Sequence, residues 1–338
     1  MYGNSYQYSY AQQQEEYRRL FIAEQNEKRE IKFFGRVAGA CVIGYVIVQQ
    51  LLGFLLYVEP VYNAYESSKG FQSVYGMLFS LIGVLVPFLI GASVLRKRTG
   101  ADPLVFSKPK KVSSMLLFVP VGFLACLAAN FVTNYFTTFM ESWGFVLTGV
   151  YYDAPTSPVE RIFYYLHIAV VPALCEELAV RGVVMQPLRK YGDRFAIIAS
   201  SVVFALMHGN LIQAPFALIA GAVIGYAVCA TGSIWTGILI HFVNNSFSVF
   251  VEFLLADVAD TAQQNLIYYG IMIVAAVLGI LCAAALVLMD GKSLRVTKRL
   301  GILTSGQKGK AYVLNAAMII ALIIMIVMTS MNVEWQGF

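Results

Sequence analysis

Two adjacent glutamates, Glu176 and Glu177, interrupt the apolar stretch IAVVPALCEELAVRGVVM at residues 168–185. An ionisable group at bilayer depth costs at least a few kcal/mol, so two side by side read as function rather than packing. In a helix the two acids point in different directions, and Arg181 lies one turn beyond Glu177. Glu177 and Arg181 therefore share a face and can pair, while Glu176 sits about 140° from Arg181 and is left free for chemistry. Pro172, one turn before Glu176, removes a helical hydrogen bond and is expected to kink the segment.

Two further apolar stretches carry one histidine each. FALMH places Phe204 and His208 one turn apart, and HFVNN places His241 and Asn245 one turn apart on one face. Counting from the nearest basic loops, Glu176 and His208 lie about 20 Å deep and Asn245 about 18 Å, with His241 one turn shallower. Four polar side chains from three helices thus fall in overlapping layers of the bilayer. A carboxylate and an imidazole around a buried water can split an amide bond. The carboxylate accepts the water proton as general base, the imidazole orients the water, and donors such as His241 and Asn245 steady the oxyanion. Glu176, His208 and His241 also match the ligand types of a zinc site, although no HExxH is present. Ion or proton transport is a third use of such groups, for which paired repeats and broken helices are expected. No internal repeat is evident. A lone intramembrane histidine or asparagine is more often a helix-to-helix hydrogen bond; the shared depth is what favours a site. His167, nine residues before Glu176, is expected to face away from it as a structural or interfacial residue. Asn244 is the weaker alternative to Asn245.

Membrane helices must position these residues. The 338 residues are 59% hydrophobic and 13% charged, against about 25% charged in a soluble domain. The expected fold class is all-α, a polytopic transmembrane helix bundle of about 8–9 spans. The chain divides into a polar cytoplasmic tail (1–31), N-terminal spans (32–159), a catalytic helical core (160–255) and C-terminal spans (256–338). The tail is expected to be flexible at first and helical over 15–32; it lacks the apolar region of a signal peptide. Basic segments at 96–111, 189–194 and 291–310 alternate with acidic or neutral loops, which places the N-terminus in the cytoplasm. The net charge of +5 therefore reports topology and is no nucleic-acid signal. Five scattered cysteines without CxxC spacing indicate neither a disulfide framework nor a cysteine zinc site. Gly221 and Gly225 form a GxxxG read as helix packing.

EELAVR at 176–181 resembles the EExxxR motif of the CAAX protease and bacteriocin-processing family of intramembrane proteases. FALMH resembles that family's FxxxH motif and HFVNN its HxxxN motif, in the right order on successive apolar segments. The resemblance covers 160–255. It implies a helical core whose active site opens laterally or to the cytoplasm. It further implies that Glu176 and His208 activate the water, that His241 and Asn245 form the oxyanion pocket, and that Glu177 and Arg181 support the site. A metal-free glutamate mechanism fits these residues better than a metalloprotease, so no cofactor is favoured, with zinc on Glu176, His208 and His241 as the alternative. Eukaryotic members remove the last three residues of prenylated CAAX proteins. The Tyr/Gln-rich tail suggests a bacterial cell membrane, where peptide maturation, regulated membrane proteolysis or bacteriocin self-immunity would take that place. The expected partners are the bilayer and a membrane-embedded or membrane-associated peptide or protein, with no nucleic acid. The rival reading is a non-proteolytic membrane scaffold that binds partner proteins and keeps the motifs for structure.

Overall fold

The computed structural model describes residues 3–149, 152–291 and 294–337, and among them eleven helices account for nearly all regular structure. The first, α1 (Gly3–Leu55), joins the polar tail to an apolar half without a break. Ile31, Phe34, Ala38, Cys41 and Tyr45 recur at helical spacing and form its buried stripe. After the short α2 (Glu59–Ser67), α3 (Lys69–Thr99) returns through a π-helical turn at Phe79–Leu85. Gly100, with φ 73°, ends α3 in the left-handed region, where its N–H donates to the Arg96 carbonyl at 2.9 Å. The basic loop 100–111 leads into α4 (Val112–Ser142).

The segment 158–188, α5, opens with Pro158 in its first turn and contains two π-helical turns, Leu166–Val170 and Leu178–Met185. Then follow α6 (Asp193–Met207), α7 (Ala214–Thr231), α8 (Ile234–Leu255) and α9 (Thr261–Asp290). Two helices that meet at 80°, α10 (Ser305–Val313) and α11 (Ala316–Ser330), close the bundle. The small residues of α7 let α6 approach closely: a Cβ on Gly221 would stand 3.2 Å from the Phe204 ring, and one on Gly225 3.5 Å from Ile197. Around this pair, α7 also packs on α4, and α8 packs on α4 and α5.

Among the described residues six helices are long and apolar enough to cross a membrane, or seven if α10 and α11 count as one broken span. The chain is thus an integral membrane protein. The expected eight to nine spans are not supported by that measure. The α5 segment carries Glu176, Glu177 and Arg181 within its apolar run. The 15-residue α6 is shorter than a typical spanning helix.

Two features go beyond what the sequence led one to expect. The tail is helical from Gly3, and its later part is anchored: Glu27 accepts from the Ile302 backbone N–H, and Glu30 pairs with Lys190 and accepts from the Tyr191 hydroxyl. The all-α class also gains a small antiparallel pair, β1 (Phe145–Leu147) with β2 (Val333–Trp335). Strands of three residues leave no readable alternation in a sequence. This pair ties the C-terminal end to the loop after α4, at the end of the bundle opposite the basic loops.

Candidate active site

Local helix geometry sets the site. In an α-helix the Ile168 carbonyl would receive its hydrogen bond from residue 172, and Pro172 has no N–H to give. The chain widens into the π turn just before the proline. Asn245 on α8 then donates its Nδ2–H to the Ile168 carbonyl at 3.0 Å, while Asn244 Nδ2 donates to Asn245 Oδ1 at 3.1 Å. The proline thus leaves an acceptor that locks α8 onto α5 at the level of the HxxxN motif.

One turn below, a chain of charges runs through the interior. Arg181 and Glu177 are both fully buried, and Arg181 Nη1 donates to Glu177 Oε1 at 3.0 Å. The other arm of the guanidinium donates to the Gly221 carbonyl at 3.1 Å, and its plane stands 4.8 Å from the centre of the Phe204 ring. Glu177 Oε1 also accepts from His241 Nδ1–H at 3.0 Å. In the neutral ring that bond puts the proton on Nδ1 and the lone pair on Nε2. What Nε2 faces is Glu176, with Oε2 at 3.9 Å. The order is therefore Arg181, Glu177, His241, Glu176. A Cβ on Gly237 would stand 2.9 Å from Glu177 Oε2, so the buried carboxylate fits only against a residue without a side chain.

His208 ends α6. Its Nδ1–H donates to the Phe204 carbonyl at 2.8 Å, which leaves Nε2 bare. The Phe204 ring meets the His208 ring edge-on at 4.8 Å between centres and the His241 ring at 6.0 Å. On the other side of α6, the Tyr45 hydroxyl donates to the Met207 carbonyl at 2.9 Å and holds this helix end against α1.

These groups surround one cavity of about 650 Å³. Glu176, His208, His241, Asn244 and Asn245 all line it, whereas Glu177 and Arg181 lie beneath its floor. The structure thus brings the four candidate catalytic residues to one space. It sets His241, not His208, against Glu176. His167 also lines the cavity, contrary to the expected outward orientation. The π turn at Leu166–Val170 has more residues per turn than an α-helix, so a count at 100° per residue loses phase across it. The His167 ring is edge-on to Tyr152 at 5.0 Å and packs over Gly76.

Phe204, Tyr45 and Glu252 were not singled out as site residues. Phe204 was legible as the first position of FxxxH; no spacing signal marked the other two. Among the described residues no three His, Cys, Asp or Glu side chains form a group that could hold a metal ion. Glu176, His208 and His241 are not gathered as such a group in this arrangement.

The lining runs along α8 from His241, opposite Glu176, past Asn245 and Ser248 to Glu252, with Tyr152 and Tyr164 also bordering the space. None of its lining residues comes from the basic segments.

The fold and site together define a helical membrane protein with a polar, carboxylate-bearing cavity inside its bundle. Residues 158–247 match the family model described as type II CAAX prenyl endopeptidase Rce1-like, so this part of the chain, about a quarter of its length, is a domain of that family. Membership points to a protease acting on a protein in the membrane. No curated protein and no solved structure matches the chain. Nothing in these findings supports bacteriocin immunity.

Proposed function

We propose that the protein is an intramembrane endopeptidase of the glutamate type, cutting a peptide bond of a membrane-embedded or membrane-associated polypeptide. The observation that carries this reading is the pair of acceptors facing each other across 3.9 Å, the Glu176 carboxylate and His241 Nε2. That gap is too long for a direct hydrogen bond. A water 2.8 Å from both would subtend about 90°, close to its own H–O–H angle, and would donate one hydrogen to each. Glu177 and Arg181 support this arrangement by holding the imidazole in the tautomer that accepts at Nε2.

In the reaction Glu176 takes a proton from the water as its oxygen forms a bond to the scissile carbonyl carbon. The second hydrogen of Asn245 Nδ2, not used by Ile168, steadies the oxyanion. Collapse breaks the C–N bond, and the proton held by Glu176 passes to the leaving amine. His208, with Nε2 free in the cavity, hydrogen-bonds the polypeptide on the opposite wall. No step runs through a metal. By the positive-inside rule the basic loops lie in the cytoplasm, so the cavity and its substrate face the other side of the membrane.

Purified protein in proteoliposomes tests the reading with a pool of membrane peptides, before and after chelation and with elemental analysis. Cleavage that needs Glu176 and survives chelation supports it. A stoichiometric metal lost together with activity, and restored with it, would replace the glutamate mechanism. Peptide binding without cleavage would favour the scaffold.

A further inference from the structure

Resting on the peptidase reading, we infer that Glu252 forms a subsite that seats a cationic side chain, lysine or arginine, of the polypeptide substrate. Glu252 lies on α8 seven residues beyond Asn245 and lines the same cavity. Asn245, Ser248, Val249 and Glu252 follow one another at the spacing of a single helix face, and all four border this space. Seven residues of helix separate Glu252 from Asn245 by about 10 Å. An extended peptide advances about 3.3 Å per residue, so a chain with its reacting carbonyl at Asn245 reaches Glu252 about three residues further on.

The carboxylate is positioned and not neutralised. Tyr164 donates its hydroxyl to Glu252 Oε2 at 2.8 Å, which aims the group. Among the described residues no lysine, arginine or histidine nitrogen forms an ion pair with it. Arg161 on α5 is turned to other partners. Its Nε donates to the Pro155 carbonyl at 3.0 Å, and its guanidinium stands 5.0 Å from the centre of the Phe253 ring. A half-buried carboxylate among tyrosine rings gains most from a ligand cation, through a charge-assisted hydrogen bond and the faces of the rings. The helix ends and loops at this end carry Glu59, Glu66, Glu141, Asp257 and Asp260, which favour the approach of a cation. The proposed hydrolysis makes no use of Glu252, and its place in the cavity is otherwise unexplained.

Binding tests this independently of turnover. The Glu176→Gln protein in nanodiscs is titrated with apolar peptides, acetylated and amidated at their ends, each carrying one lysine or the matching glutamine at successive positions. The best lysine peptide should bind about tenfold more tightly than its glutamine partner. Glu252→Gln should abolish that difference while leaving the affinity for the glutamine peptide unchanged, which also reports an intact cavity. Glu252→Lys should favour a glutamate peptide instead. Equal binding of lysine and glutamine peptides, a lysine preference that survives Glu252→Gln, or no peptide binding would overturn the subsite. A lysine preference in a protein whose native form cuts nothing would keep the subsite and remove the peptidase reading. Cleavage without that preference would do the reverse.

Discussion

His241 occupies the position on which the chemistry turns. One nitrogen is tied to a carboxylate that an arginine neutralises, and the other is offered to a second carboxylate. Two adjacent acids thereby acquire different work from their surroundings: Glu177 is closed off, and Glu176 opens to the cavity. The buried Arg181–Glu177 pair is expected to be costly to break, because removal of either partner leaves an unpaired charge in an apolar interior, at about 3–5 kcal/mol in soluble proteins. Arg181→Ala should therefore lower yield and thermal stability along with activity. Arg181→Lys should rescue neither fully, since an ammonium cannot bond Glu177, bond Gly221 and lie over Phe204 at once. Thermal unfolding in detergent checks this, and unchanged melting of the alanine variant would show that the pair is not structural.

At the scale of the helix, the π turns of α5 decide which side chains meet. Pairing within one helix was legible: four residues separate Glu177 from Arg181, and the two do bond. The link from Glu177 to His241 was not, because residue spacing says nothing about how α5 and α8 are rotated against each other. His167 was misplaced for a related reason, since constant phase fails across a π turn. Pro172 was read as a kink. Its greater effect is to free the acceptor that Asn245 takes. Pro172→Ala returns an N–H that competes for the Ile168 carbonyl. It should release Asn245 and lower kcat by at least about tenfold with little change in stability. Kinetics and melting of this variant check the point; unaltered turnover would separate Asn245 anchoring from catalysis.

Across the whole molecule, the basic loops gather at one end, and none of them lines the cavity. Basic loops were legible from composition, and so was the helical membrane class. The span count was not: α6, read as a span, has only 15 residues. Glu252 belongs to no motif, and no spacing in the sequence marks it. In a cysteine-free background, single cysteines at Asp257 and at Lys108 should separate the two faces. A membrane-impermeant thiol reagent added to intact cells is expected to label the first and spare the second, and the reverse pattern would place the cavity on the cytoplasmic side. The central claim is that Glu176 is the base of a peptidase. Its most direct test is terminal peptide mass spectrometry on membranes carrying the native protein or Glu176→Gln at matched abundance. The account predicts a set of new termini present with the native protein and absent with the variant, whereas identical termini in the two membranes would contradict it.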